Sequence, residues 1–134
     1  MKRNVLILLM LTVALCLTSV GCRKGVPITE PGNPSISAYG KFTKTQVRDA
    51  ILRGGSNIGW QMREEAPGVV LGTWNARSNS VTVKIPYSEK EYAIKYHSSE
   101  NMLDGGDGTI HTNYNRWVDH LNRNITAEIG KIKK

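Results

Sequence analysis

The sequence predicts an α+β fold, a two-layer sandwich in which a helix, a four-stranded antiparallel meander and a long C-terminal helix follow one another along the chain. Three observations favour this order (α-β-β-β-β-α). A capping box precedes a short apolar stripe, four short segments then alternate apolar and polar residues, and the C-terminal segment has apolar residues at helical spacing. We expect both helices to pack on one face of the sheet.

The first helix is predicted over residues 44–53. Thr43 and Gln46 have the spacing of a capping box, in which each side chain bonds the backbone amide of the other residue. The apolar stripe that follows consists of Val47, Ala50 and Ile51. Gly54-Gly55 is predicted to end the helix, because glycine readily adopts the left-handed conformation found there.

Alternation with a period of two predicts four strands. They cover about residues 58–63, 69–74, 81–87 and 92–97. Pro86 has no amide hydrogen, so it is expected at a sheet edge or near the end of its strand. The side chains predicted to face the helices are Trp60, Met62, Val81, Val83, Ile85, Tyr92, Ile94 and Tyr96.

Residues 98–112 are expected to form a long connection around a glycine-rich turn, Asp104-Gly105-Gly106-Asp107-Gly108. The last helix is predicted over residues 113–130, with Thr112 or Asn113 as its N-cap. Its apolar face consists of Tyr114, Trp117, Val118, Leu121, Ile125 and Ile129.

The first residues of the chain have the organisation of a secretory signal peptide. A basic start at residues 1–4 precedes an apolar run over residues 5–17, and small residues then lead to Cys22. A transmembrane helix needs about 20 apolar residues, so the run is too short for one. The end resembles a bacterial lipobox, which implies removal of residues 1–21 and attachment of lipid to the sulfur of Cys22.

A lipid-anchored address is expected for the mature chain. Residues 22–38 are rich in proline and glycine and are predicted to form a flexible tether to a single α+β domain over residues 39–134. Arg23 follows the cysteine where an Asp would favour retention in the inner membrane. The lipobox resemblance therefore implies the outer membrane of the cell envelope, with the domain facing the periplasm.

The balance of charge is moderately basic. The formal net charge of +7 falls to +5 when Lys2 and Arg3 leave with the leader. A positive balance favours anionic partners such as lipid headgroups, lipopolysaccharide or the acids of peptidoglycan, although it can also serve solubility alone. Export argues against nucleic acid as a partner.

Catalytic signatures are absent from the sequence. There is no P-loop, dinucleotide fingerprint, nucleophile elbow or His-Glu-x-x-His motif. Cys22 would be the only mature cysteine, because Cys16 lies in the leader, and its lipidation excludes thiol catalysis. We therefore predict a protein that is not an enzyme, with no catalytic residues, no cofactor and no metal ligands.

Two weaker binding sites remain open at this point. One is a small-ligand or metal site built from His97, His111 and the loop containing Asp104 and Asp107, although that loop lacks the ligand spacing of an EF-hand. A flexible turn and ordinary surface histidines are the competing interpretation.

The other candidate is the solvent face of the sheet. If the apolar strand faces meet the helices, a shallow basic surface results that is able to meet an acidic partner or a glycan. The opposite interpretation is a solvated face without a partner. The residues expected to share this face are Gln61, Arg63, Thr82, Lys84, Lys95 and His97.

Several segments carry a family resemblance: Ile110–Val118, Tyr92–Tyr96, Gly59-Trp60 and Pro67-Gly68. Together they resemble a group of small, uncharacterised lipoproteins of Gram-negative bacteria, over about residues 42–129. The resemblance implies no activity. We expect a non-enzymatic interaction module, anchored to the membrane, that binds an envelope protein or a cell-wall component.

Overall fold

The computed structural model describes residues 25–132, in which a four-stranded antiparallel sheet lies against two α-helices. The predicted α+β class is confirmed. In chain order the elements are β1 (Val26–Pro27), β2 (Gly32–Asn33), a 3₁₀ helix (Ile36–Tyr39), α1 (Lys44–Ser56), β3 (Gln61–Ala66), β4 (Val69–Ala76), β5 (Asn79–Pro86), β6 (Tyr92–Ala93), β7 (Lys95–Glu100), β8 (Thr109–Ile110) and α2 (Thr112–Gly130).

The main sheet has the strand order β3-β4-β5-β7, and neighbouring strands are antiparallel throughout. Alternate residues of its strands face α1 and α2 and join them in one hydrophobic core. Pro86 is the last residue of β5, as expected for a residue that donates no hydrogen bond. The fully buried members of the core include Val47, Ile51, Val81, Val83, Ile85, Val118, Leu121 and Ile125.

Three tryptophans form a continuous cluster where the sheet meets both helices. The ring centroids of Trp60 and Trp74 are 5.9 Å apart, and those of Trp74 and Trp117 are 6.2 Å apart. These tilted contacts lie within the range of favourable aromatic pairs. The cluster therefore connects the exit of α1, strand β4 and the first turns of α2.

The capping box at the start of α1 is formed. The Thr43 hydroxyl accepts from the Gln46 amide at 3.2 Å, and the Gln46 side chain accepts from the Thr43 amide at 2.9 Å. The predicted end at residue 53 is wrong, because Gly54 and Gly55 are helical. Both glycines permit close packing: a Cβ on Gly54 would lie 2.8 Å from Ile125 Cα, and one on Gly55 would collide with Met62.

The first strand begins later than predicted. The amides of Ile58 and Trp60 both donate to the Gly55 carbonyl at 3.1 Å, so residues after α1 form a turn. Strand β3 then runs from Gln61 to Ala66. Ile58 and Trp60 therefore belong to the turn that follows α1, and only Met62 of the three alternating residues lies in the strand.

The predicted fourth strand is divided in two. β6 pairs with β2, whereas β7 pairs with β5 and continues to Glu100, three residues past the predicted end. Between them, Ile94 is fully buried and its amide donates to the Pro31 carbonyl at 2.7 Å. The N-terminal segment takes the hydrogen bonds that a continuous strand would have made within the main sheet.

Residues 25–38 lie on the domain, which corrects the predicted flexible tether for the described part of residues 22–38 and the expected domain start at residue 39. β1 pairs with β8, and β2 pairs with β6. Ile36 is fully buried, and its amide donates to the Lys90 carbonyl at 2.8 Å. The predicted signal peptide and Cys22 lie outside the described residues.

Candidate functional site

The sheet face opposite the core carries three basic residues in register. Arg63 pairs with Leu71, Leu71 with Lys84, and Lys84 with Lys95. Directly paired residues of antiparallel strands lie on the same face, and adjacent strands are about 4.8 Å apart. Arg63, Lys84 and Lys95, which we call the basic row, therefore cross the four strands over roughly 14 Å.

Leu71 occupies the gap in the basic row. It is 6 % exposed although it lies on the face opposite the core. The register places the side chains of Arg63 and Lys84 on either side of it. Long basic side chains cover apolar surface with their stems and keep their charged ends in water. Leu71 thus gives the basic row an apolar floor.

One carboxylate partly neutralises the basic row. Lys84 Nζ lies 3.3 Å from a Glu65 oxygen, and both side chains are more than a third exposed. Within residues 25–132, Arg63 and Lys95 form no salt bridge. An exposed pair such as Lys84–Glu65 contributes little to stability, so these charges remain accessible to an anionic partner.

The polar residues predicted for this face lie in the next row. Gln61 pairs with Thr73, and Thr73 pairs with Thr82. The Thr73 and Thr82 hydroxyls are 3.1 Å apart and hydrogen-bonded. Gln61 and Thr82, which the sequence predicts on this face, and Thr73, which it does not, add neutral hydrogen-bonding groups beside the basic row.

His97 does not align with the basic row. The register of β5 and β7 shifts between the pairs Thr82–Ser98 and Val83–Tyr96, which leaves His97 as the extra residue of a β-bulge. It is exposed but has no residue directly opposite it on β5. The sequence predicts His97 among the basic residues of the open face; the register does not align it with them, although it lies on the same strand as Lys95.

A cleft of about 600 Å³ adjoins the basic row at Lys95. It lies between the β2 segment and the turn from β5 to β6, and two carboxylates, Glu30 and Glu91, also line it. Tyr87 and Tyr92 are among its lining residues. The sequence did not reveal this cleft because residues 30–34, which form one side, were expected to be tether.

His111 has a structural task. It is the N-cap of α2, and its Nδ1 accepts a hydrogen bond from the Asn113 amide at 3.1 Å. This corrects the predicted cap at Thr112 or Asn113. Because the cap uses the Nδ1 lone pair, only Nε2 is left to contact any ligand. Serine, threonine, aspartate and asparagine are the usual caps, so sequence patterns point away from histidine.

Asp104 and Asp107 stabilise the loop that precedes β8. Asp104 accepts from the Tyr96 hydroxyl and from the Gly106 amide, and these bonds lower its pKa. Asp107 accepts from the hydroxyl and amide of Thr109 at 2.6 and 2.9 Å, which likewise lowers its pKa. Their oxygens thus shape local turns.

Residues 25–132 contain no group of three or more His, Asp, Glu or Cys side chains placed to hold a metal ion. The structure therefore does not gather His97, His111, Asp104 and Asp107 into a coordinating set. In the same part of the chain, no helix is long and apolar enough to cross a bilayer.

Comparison of the chain with protein-family models, with curated proteins and with solved structures gives no match.

Proposed function

We propose that this chain is a lipid-anchored protein of the bacterial cell envelope that works by binding, without catalysis. The support for the anchor is the N-terminal sequence, in which a basic start, an apolar run and small residues precede Cys22. The family resemblance, to small lipoproteins of Gram-negative bacteria, supports the same address and implies an outer-membrane anchor with the domain in the periplasm.

The proposed binding role is supported mainly by the basic row. Arg63, Lys84 and Lys95 stand in register on an open sheet face, with Glu65 as the neighbouring carboxylate. Three cations on one open face complement a partner that presents several anionic groups along its surface. We therefore propose an acidic envelope protein or an acidic cell-wall component as the partner.

The anchor is tested on protein purified from membranes of the producing cells. Mass spectrometry of the N-terminal peptide should show loss of residues 1–21 and addition of acyl chains at Cys22. Cys22→Ser should give an N-terminal peptide without acyl chains, because serine has no sulfur to which the lipid can be attached. An intact leader or an unmodified sulfur would overturn the proposed address.

The binding face is tested by site-specific photo-crosslinking in cells. A photoreactive residue at Thr82, beside the basic row, should capture a distinct partner. Replacement of Arg63, Lys84 and Lys95 by Gln should abolish that adduct. Matched replacement of three exposed cations elsewhere, Lys41, Lys90 and Arg123, should leave it in place. Equal loss in both triple variants would show that net charge, and not the basic row, determines the contact.

A small-ligand or metal function for His97, His111, Asp104 and Asp107 has less support. Hydrogen bonds within the fold occupy His111 Nδ1 and both aspartates. Thermal unfolding with and without zinc or calcium tests this metal-binding function. A ligand at 100 times its dissociation constant would add about 2.7 kcal/mol of stability.

A further inference from the structure

The described chain begins at a fixed position on one end of the molecule. Val26 pairs with Ile110, and the Ile28 amide donates to the Gly108 carbonyl at 3.0 Å. Gly25 lies so close to β8 that a Cβ there would be 3.0 Å from the Ile110 amide nitrogen. Gly25 is therefore packed against β8.

Very little chain separates this point from the proposed anchor. Only Arg23 and Lys24 stand between Gly25 and Cys22. Three residue steps span at most about 11 Å even when fully extended. Lipid attached to Cys22 would thus keep the surface around Gly25 within that distance of the bilayer.

An exposed leucine lies beside this surface. On the side of β8 away from β1, the His111 amide donates to the Met102 carbonyl at 2.7 Å. Met102 is 1 % exposed and packs in the core, whereas the next residue, Leu103, is 49 % exposed. Of the large apolar side chains described by the structure, only Leu103 and Tyr39 are exposed to this degree.

The backbone holds Leu103 outward at some cost. Its φ is +59°, in the left-handed region that favours glycine and is strained for a residue with a side chain. A leucine held in this conformation with half of its surface in water gains neither backbone energy nor burial within the domain. A lipid surface next to Gly25 would supply the missing burial.

We infer that Leu103 and the loop over residues 103–108 rest on the lipid surface that holds Cys22, an inference that depends on the proposed lipid anchor. The loop carries two negative charges, Asp104 and Asp107, which an anionic lipid surface would repel. The contact is therefore apolar in character and does not require anionic lipid. The short connection to Cys22 supplies the high effective concentration that one leucine side chain needs.

The test uses the full lipidated protein in vesicles of zwitterionic phospholipid. Leu103→Cys carries an environment-sensitive dye, and Glu89→Cys carries the same dye as a control. Glu89 is exposed and follows the far end of β5, whereas the contact of Asn101 with Ser78 at 2.7 Å places the Leu103 loop at the near end. The two ends are separated by the length of β5, roughly 25 Å.

The dye at position 103 should show blue-shifted emission and quenching by lipid-attached quenchers, and the dye at position 89 should show neither. Equal emission at both positions in lipidated protein would overturn the inference. A Gly-Ser spacer inserted between Lys24 and Gly25 should move the signal at 103 towards that at 89. An unchanged signal with the spacer would show that the short connection between Cys22 and Gly25 does not hold the loop at the lipid surface. This result would also overturn the inference.

Failure of the anchor itself is recognised separately. Acylated Cys22 has no free thiol, so each variant should take up one dye per chain. A second dye per chain, together with an unmodified sulfur in the mass spectrum, would overturn the proposed anchor and not the geometry of the loop.

Discussion

Two buried tyrosines differ in the bonding of their hydroxyl groups. The Tyr92 hydroxyl lies 2.6 Å from Asn122 Oδ1 and 2.9 Å from Thr126 Oγ1. The Tyr114 hydroxyl is buried without a hydrogen-bond partner within residues 25–132, and burial raises the pKa of its phenol. An unpaired buried hydroxyl is destabilising, whereas a bonded one contributes on the order of 1 kcal/mol.

Tyr114→Phe should therefore leave the free energy of unfolding unchanged or raise it. Tyr92→Phe should lower it by about 1 kcal/mol or more, because Asn122 and Thr126 lose their partner. Urea unfolding of both variants beside the parent protein measures the difference. Equal destabilisation by the two substitutions would contradict the assignment of an unpaired hydroxyl at Tyr114.

Glu128 links the ends of both helices. It is 7 % exposed and accepts from Lys131 at 2.7 Å, from Arg53 at 3.2 Å and from Asn57 at 3.4 Å. The hydrogen bond from Lys131, followed by that from Arg53, lowers the pKa of Glu128 below its usual value of 4.5. A carboxyl with a lowered folded pKa contributes stability that is present above the unfolded pKa and is lost as pH falls through the folded pKa.

The parent protein should thus be more stable than Glu128→Gln at neutral pH, and this advantage should shrink as the pH falls below about 4.5. Urea unfolding of both proteins at several pH values between about pH 7 and pH 3 measures the difference in their free energies of unfolding. Glu89→Gln, on an exposed turn, is the matched control. A gap between parent and Glu128→Gln that does not change with pH would contradict the role of the carboxylate.

At the scale of single elements, the contact between α1 and α2 depends on the absence of a side chain at Gly54. A methyl group there would meet backbone atoms of Ile125, which cannot turn aside. Gly54→Ala should lower the free energy of unfolding by about 1–3 kcal/mol, despite the better helix propensity of alanine. Gly130→Ala, at the end of α2 with open space around it, should be neutral or slightly stabilising. Thermal unfolding of the pair measures both effects.

The start of α2 depends on the imidazole of His111. His111→Ala should cost about 0.5–2 kcal/mol, because the Asn113 amide loses its acceptor. His111→Asn should restore most of this stability, since asparagine is a strong N-cap. His120→Ala, at an exposed position on the same helix, is the control. No recovery with asparagine would indicate that His111 acts in some other way.

The long elements were readable from the sequence because their burial is periodic. The capping box at Thr43, the alternation in β5 and the apolar face of α2 each reflect local spacing, and the structure contains all three. The division of the fourth strand was not readable. It depends on the hydrogen bond that the Ile94 amide donates to the Pro31 carbonyl and on the pairing of β2 with β6, across about sixty residues of sequence.

The candidate site was readable only in part, for a similar reason. The alternation placed Arg63, Lys84 and Lys95 on one face, and the observed register aligns them. The bulge that displaces His97 leaves no trace in the pattern, because one extra residue looks like ordinary alternation. The cleft next to Lys95 needed the position of residues 30–34, which composition alone described as tether.

At the scale of the whole molecule, the N-terminal segment is part of the folded unit. Ile36 is fully buried in the core, whereas Tyr39, at the end of the same 3₁₀ helix, is 41 % exposed. Ile36→Ala should cost about 2–5 kcal/mol, and Tyr39→Ala should cost little. A chain that begins at residue 39 should be less stable still than Ile36→Ala. Full stability of that shortened chain would show that residues 25–38 do not stabilise the domain and act as a tether.

All three tryptophans of the chain belong to one cluster, Trp60, Trp74 and Trp117. Indole rings at such separations exchange excitation energy, so the three tryptophans act together as one chromophore cluster. This chromophore lies on the opposite side of the sheet from Arg63, Lys84 and Lys95. Its emission therefore reports whether the packed layers stay together, and a ligand on the far surface can be titrated without disturbing that signal.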